Sequence, residues 1–335
     1  MHQARCNDDA AEQRRAIVSG VETYRAATRA DIPALSTLFL EVFGVERDER
    51  VWDWKLFSNP RGSASFLCEA GGRVVSHCAG TPVTFRDGTK SYRALQSVDF
   101  MSSPTYSGGM GRGGVFVRTV KGFFEMFCGP LAAPLLYGFP GERHRILGER
   151  LLGYRAIERV TELSLGGHKE KSLEGRTDAT ANRVSRRLPL PTLTPKMLDS
   201  FKSPDFDFGA ERDRSYLHWR YLEHPHKPYS MLSYRRWPSS PMSAIVRETG
   251  DVLYVMELGG TIDRRNVLGL TAKMHDLGVP VKMWCPTRHP VGQLLTAAGW
   301  LSSEKDHSIE CRFFIERPVP MEGEMYYTLG DYDVH

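Results

Sequence analysis

The chain has 335 residues, of which 41 % are apolar and 25 % charged, with a formal net charge of +4. That length supports two domains of ordinary size, the composition is that of a globular protein, and the small charge argues against a nucleic-acid-binding surface. No apolar run reaches the roughly 18 residues that would suggest a membrane span.

Residues 1–20, MHQARCNDDAAEQRRAIVSG, are polar and mixed in charge, and read as a loose tail without the apolar core of a secretory signal. Six cysteines (6, 68, 78, 128, 285 and 311) are scattered with no C-x-x-C pair or Cys/His spacing. Reduced thiols, a cytoplasmic location and no metal site are expected. A strand follows over 22–28. A helix over 31–43 has Asp31 as its cap and Ile32, Leu35, Leu38, Phe39, Val42 and Phe43 on one face. A further helix carries Trp52 and Trp54. Strands are expected over 64–70, 73–85 and 91–101, separated by the turns GG (71–72) and RDG (86–88). A glycine-rich loop then leads into a helix at 114–127, weakened at Gly122. After it come a strand at 134–139, a helix at 142–151 and a strand at 154–165. This order indicates an α/β (α+β) fold built on a mixed sheet.

Two stretches recur. Trp54-Lys55-Leu56-Phe57-Ser58-Asn59-Pro60 and Trp219-Arg220-Tyr221-Leu222-Glu223-His224-Pro225 share W-[KR]-x-x-x-[NH]-P. YGFPGERHRILGERLLGY (137–154) aligns with MWCPTRHPVGQLLTAAGW (283–300), so that Pro140 faces Pro286. Two matches in the same order indicate a duplicated domain. The expected division is a tail over 1–20, a first domain over 21–165, a polar linker over 166–204, a second domain over 205–320 and a tail over 321–335.

The loop SSPTYSGGMGRGG precedes an apolar helix. Glycine lets backbone approach a ligand closely, and consecutive amides at a helix N-terminus favour phosphate. The plain alternative is a surface loop. Gly109-Met110-Gly111-Arg112-Gly113-Gly114 matches G-x-G-x-x-G, yet no acidic residue follows at the distance a Rossmann site needs, and no G-K-[ST] marks a Walker loop.

YRAATRADIPALSTLF, VDFMSSPTYSGGMGRGG and YGFPGERHRILGERLLGY, in that order, resemble the GNAT superfamily of acyl-CoA-dependent N-acyltransferases, tandem type. The resemblance covers 22–165, with a degenerate second copy over 205–318. It implies two GNAT-like domains, each a mixed, mostly antiparallel sheet flanked by helices. It also implies acetyl-CoA or another acyl-CoA as co-substrate. Its diphosphate would lie on backbone of Gly108, Gly109, Met110, Gly111, Arg112, Gly113 and Gly114, with Phe100 and Met101 along the pantetheine arm. Copy two lacks this loop, since Glu257 to Pro286 is shorter than Asp99 to Pro140. The activity implied is transfer of an acyl group, acetyl in the simplest case, to a primary amine of a small molecule.

Asp99, on the fourth strand, is the candidate general base, or else a carboxylate paired structurally. The family's usual Tyr donor is replaced by Glu149, which leaves Tyr137 and His144 as candidate donors; the first could equally be a core aromatic and the second a surface histidine. Cys78 or Cys128 as nucleophile lacks a paired His/Asp spacing. Two other classes stand beside the enzyme: a non-catalytic acyl-CoA- or partner-binding module, and an aminoacyl-tRNA-dependent transferase. No nucleic acid or membrane partner is expected.

Overall fold

The computed structural model describes residues 21–106, 113–166, 190–238 and 240–332. Its contacts divide the chain into two units. Unit 1 holds residues up to Phe85, Ser91–Ile157 and His307–Val319; unit 2 holds Arg86–Lys90, Glu158–Asp306 and the residues from Pro320 on.

In chain order unit 1 contains β1 (Thr23–Ala26), α1 (Ile32–Phe43), α2 (Glu49–Trp52, continued by a π turn over Asp53–Phe57), β2 (Ser65–Ala70), and β3 (Arg73–Asp87) and β4 (Lys90–Ser102) apart from the hairpin residues Arg86–Lys90. Then follow α3 (Val115–Phe127), β5 (Leu135–Gly138), α4 (Glu142–Leu147, continued over Gly148–Leu152) and the start of β6 (Arg155–Leu165). β1, β2 and β3 are antiparallel neighbours, whereas β4 and β5 run parallel. Residues 310–313, from a strand late in the chain, lie antiparallel to β5 and complete this sheet.

Both faces of the sheet are covered. On one, Phe116, Val117, Val120 and Phe123 of α3 pack with Phe66, Cys78, Leu95, Leu136 and Tyr154. On the other, Leu35 and Leu38 of α1 and Trp52 of α2 meet Leu67, Ala79, Val98 and Met101. Full burial of a leucine contributes about 1.5–3 kcal/mol, and Leu35, Leu38 and Leu67 are at most 1 % exposed. Gly122 is not a weak point of α3. A Cβ there would stand 2.6 Å from the Phe66 ring, so the missing side chain is what brings the helix down on β2.

Unit 2 contains the rest of β6, α5 (Pro195–Asp199), β7 (Phe208–Ala210), α6 (Arg214–Tyr221), β8 (Ser230–Tyr234), β9 (Met242–Thr249) and β10 (Val252–Gly260). It continues through α7 (Arg264–His275), β11 (Val281–Trp284), α8 (Pro290–Ala297), the first part of β12 (Leu301–Phe313) and β13 (Met325–Tyr326). Its sheet runs β8-β9-β10-β11-β6, with β10 and β11 parallel and the other pairs antiparallel.

The units depart from the expected domain boundaries. Residues 307–319 belong to unit 1, because a strand joins whichever sheet edge accepts its hydrogen bonds. Residues 325–331 are not a tail: Met325, Tyr326, Tyr327 and Leu329 are at most 1 % exposed. Of the expected linker, 167–189 lies outside the described residues, while Leu193, Leu198 and Phe201 are buried.

The repeated W-[KR]-x-x-x-[NH]-P has a physical reading in each unit. Trp54 and Trp219 are buried. The cation behind each is buried too: Lys55 ion-pairs with Asp99, and Arg220 donates to the carbonyls of Gly330 and Tyr332. Asn59 Oδ1 accepts from Arg61 N, and His224 Nδ1 accepts from the amides of His226 and Lys227. Both side chains thus stand in for a backbone carbonyl in a turn.

Candidate active site

β4 and β5 are hydrogen-bonded neighbours through Ala94–Leu135, Leu95–Leu136 and Gln96–Tyr137. β5 ends at Gly138, while β4 continues to Ser102. The two strands therefore fork beyond Gln96, and the candidate site lies at this fork. Gly138 is needed there. A Cβ on it would fall 1.9 Å from Ser97 Oγ and 3.2 Å from Ser97 Cβ. Gly138→Ala is expected to cost about 1–3 kcal/mol by overpacking. Adding Ser97→Ala should return part of that in urea unfolding, because only the Oγ clash is then removed.

Beyond the fork the strand is bent by Asp99, a non-glycine residue at φ 51°. Val98 packs with the α1–α2 core, and Asp99 turns to the same side, onto Lys55 and Arg47, so two consecutive residues share a face as in a β-bulge. Phe100 is thereby returned to the α3 side, where its ring lies 6.5 Å from Phe116 and 6.0 Å from Phe123. Such a backbone costs about 1–3 kcal/mol unless its surroundings hold it, and here they do. Lys55 Nζ is 2.6 Å and Arg47 Nη1 2.8 Å from the Asp99 carboxylate. The Asp99 carbonyl accepts from His77 Nδ1 at 3.0 Å, which places the imidazole proton on Nδ1 and leaves Nε2 to accept from Ser65 Oγ at 2.8 Å. Burial pushes the His77 pKa down to about 4, so the ring is neutral at pH 7.

This arrangement overturns the general-base reading of Asp99. Burial alone would raise its pKa, but Lys55 and Arg47 outweigh it and hold the carboxyl well below the usual carboxylate range. A carboxylate that already serves two cations is a poor proton acceptor. Asp99 is the clamp of the bulge.

The other predicted residues separate by face. The Met101 side chain is in the α1–α2 core, as ordinary strand packing requires. Tyr137 is 1 % exposed, packs against Phe85 at 5.3 Å and borders the fork. His144 is not a surface histidine. Its ring sits against Phe100 (5.2 Å), Phe116 (5.7 Å) and Tyr154 (5.8 Å), and burial lowers its pKa to about 4. Gly114 is the N-cap of α3, and a Cβ on Gly113 would meet nothing within 4 Å. Gly108, Gly109, Met110, Gly111 and Arg112 lie outside the described residues. Burial pushes the Cys128 thiol up to about 12 and Cys78 well above its ordinary value, which removes both as nucleophiles.

Two groups escaped the sequence reading. Tyr154 and Glu310 both line the fork together with Ser97, Tyr137 and Gly138. His144 Nε2, Tyr154 Oη and Glu310 Oε2 are buried polar atoms with no hydrogen-bond partner among the described residues. Buried polar groups are nearly always bonded, so these three neighbouring groups need partners that the described residues do not supply. Glu310 had only a faint local signal, a lone carboxylate between Ile309 and Cys311.

Trp284 stands where the repeat puts Gly138; it is 2 % exposed and packs against Tyr332 at 4.6 Å.

No family model matches the sequence, and no curated protein does. Solved structures do match. A conserved Enterococcus faecalis protein of unknown function, described as a probable N-acyltransferase, superposes with a TM-score of 0.61 over 88 % of this chain and 73 % of its own, at 13 % identity. A GCN5-related N-acetyltransferase from Kribbella flavida gives 0.57 over 88 % and 71 %, at 13 % identity. Saccharomyces cerevisiae N-myristoyltransferase with bound myristoyl-CoA gives 0.56 over 91 % and 81 %, at 10 % identity. The fold is the GNAT fold. Matches over 88–91 % of the chain take in both units, so the GNAT likeness is not confined to the half that carries the fork.

Proposed function

We propose that the protein is an acyl-CoA-dependent N-acyltransferase. It would pass an acyl group, acetyl in the simplest case, to a primary amine of a small molecule such as an amino sugar, by direct attack in a ternary complex. The observation that carries this reading is the fork with its orphaned polar atoms. A thioester arm entering beyond Gln96 would meet β4 backbone that β5 no longer pairs. Phosphate would lie toward the N-terminus of α3, where Gly113 and Gly114 allow close approach and the helix dipole favours negative charge. The myristoyl-CoA bound in one fold neighbour supports a coenzyme thioester as donor. Phe100, Phe116 and Tyr154 crowd His144, which supports a short acyl group over a long chain. The acyl-CoA supplies the activated carbonyl. This chain's own residues hold the strand bulge, exclude water with Phe100 and Phe116, and keep a phenol, an imidazole and a carboxyl at the fork.

Acetyl-CoA at about 100 times its Kd should stabilise the protein by about 2.7 kcal/mol, seen as a rise in Tm. Amine addition should then release free thiol. Gly113→Trp should leave the unliganded Tm unchanged, because its side chain enters open space, and should abolish the acetyl-CoA shift. No shift with any acyl-CoA would sink the reading. A shift without thiol release across a broad amine panel would favour the non-catalytic acyl-CoA-binding module.

A further inference from the structure

Among the three orphaned groups at the fork, Glu310 alone is a carboxyl. It is 2 % exposed. Its Oε1 accepts from Ser308 Oγ at 2.8 Å, and its Oε2 has no partner among the described residues. It stands in register with Gly138 and lines the end of the fork together with Ser97, Tyr137 and Tyr154. Burial raises its pKa; the Ser308 hydrogen bond opposes this and nearby Glu149 adds to it. The nearby cation is already committed, since Arg145 bonds to Glu149 at 2.8 Å. Unit 2 shows the contrast. There Glu162, in register with Trp284, is met by Lys282 at 3.3 Å and Lys305 at 3.6 Å. A buried carboxylate with an open oxygen is costly unless a donor or cation completes it.

Resting on the acyl-transfer reading above, we infer that Glu310 is the proton acceptor of the reaction and that the acceptor substrate arrives as a cationic primary ammonium ion recognised by this carboxylate. The ammonium gives one proton to Glu310 Oε2 and becomes the free amine. The nitrogen lone pair forms the C–N bond at the thioester carbonyl carbon. As the adduct collapses the C–S bond breaks, and the coenzyme leaves as thiolate. The second nitrogen proton goes to that thiolate. The products are the amide, the free thiol and a protonated Glu310, which returns its proton to water.

Glu310→Gln keeps the shape and the Ser308 contact and removes the charge. The test uses the full chain with acetyl-CoA and two probe amines: benzylamine, a cation at pH 7, and hydroxylamine, which is neutral there. For Glu310→Gln the acetyl-CoA affinity should be unchanged and the Tm at pH 8 should rise, because a buried charge is gone. Turnover of benzylamine should fall about 100-fold or more, the scale of general-base catalysis. What remains should climb with pH as the amine deprotonates in solution. Hydroxylamine turnover should persist. The other titratable or charged groups bordering Glu310 are Tyr137, Tyr154, Cys311, Glu149 and Arg145, and they are the same in both proteins, so the change in pH profile belongs to Glu310. Undiminished benzylamine turnover with an unaltered profile would overturn the inference. Equal loss with both amines, a lowered Tm at pH 8, or a wild type that acylates hydroxylamine but no cationic amine would do so too. A wild type that binds no acetyl-CoA would instead overturn the acyl-transfer reading, and this inference with it.

Discussion

Asp99→Ala is expected to destabilise the protein by about 3–5 kcal/mol, the usual cost of removing one partner of a buried ion pair. The loss has two sources. Lys55, whose side chain is 3 % exposed, and Arg47, 18 % exposed, would keep their charges without the carboxylate between them. Arg47 cannot swing away freely, because its guanidinium is stacked 3.9 Å over Phe39 and 4.6 Å over Trp52. In addition, alanine tolerates the φ of 51° less well than aspartate does. Asp99→Asn keeps the backbone preference and one acceptor oxygen, so it should cost less. Asp99→Ala combined with Lys55→Met should recover part of the loss by removing a stranded buried charge. Urea unfolding of the three variants separates these contributions.

The pH dependence has a sign that checks the same clamp. The folded-state pKa of Asp99 is depressed, so its contribution is fully present above the unfolded value of about 3.9. It is lost only as pH falls toward the lower folded value. The gap in stability between wild type and Asp99→Ala should therefore be constant from pH 5 to 7 and shrink below pH 4. His77 acts earlier. Its folded pKa of about 4 lies under the unfolded value of about 6.5, so its contribution is present above pH 6.5 and is lost on the way down to about 4. A gap that closes already between pH 7 and 5 would mean that Asp99 is not held by the two cations.

Much of unit 1 was legible because periodicity survives in a single sequence. The apolar face of 31–43, the turns at 71–72 and 86–88 and the valine–phenylalanine run after Gly114 each mark an element that is present; in the first, Ile32, Leu35, Leu38 and Phe39 are buried as expected, whereas Phe43, at the helix end, is 50 % exposed. The repeat was legible too, and it pointed at Lys55 and Asn59 before their partners were known. What could not be read is where the chain leaves its pattern. Alternation predicts that Asp99 faces the α3 side, and the bulge turns it away; no residue type announces that bulge. Glu310 was hidden for another reason. It reaches the fork through a strand that local pattern assigns to the second copy, and only hydrogen bonding to β5 brings it there. The repeat sets Trp284 against Gly138, but that a glycine is needed at this point of unit 1 is read only from its closeness to Ser97. His144 shows the limit from the other side: its position on a short polar helix says surface, and three aromatic rings around it say otherwise.

Arg212→Ala should be as damaging to unit 2 as Asp99→Ala is to unit 1, costing about 3–5 kcal/mol. In β10 the register against β9 slips between Val255 and Glu257, just after the residues paired to β11, and a buried carboxylate sits at that irregularity. Arg212 Nε donates to Glu257 at 2.8 Å, its Nη2 to Asp331 at 2.5 Å, and its Nη1 to the Ala210 carbonyl at 2.5 Å. Tyr221 and Thr328 supply further donors to Glu257, and the Asp331 carboxylate also accepts from Thr328 N. Removing the guanidinium takes one cation from two carboxylates that are at most 2 % exposed. The segment around Thr328–Asp331 would then lose its main reason to stay docked. Amide hydrogen exchange should therefore speed up over 325–331 well before it does in α3 or β4, with a lowered urea midpoint. Unchanged exchange over 325–331 would show that Tyr326, Tyr327 and Leu329 hold the segment by apolar burial alone. The comparison also separates the two units in kind. Both spend a buried carboxylate on holding a bent strand, and each keeps a further carboxylate oxygen without a partner among the described residues, Glu310 Oε2 in unit 1 and Glu158 Oε1 in unit 2, of which Glu310 alone lines the fork.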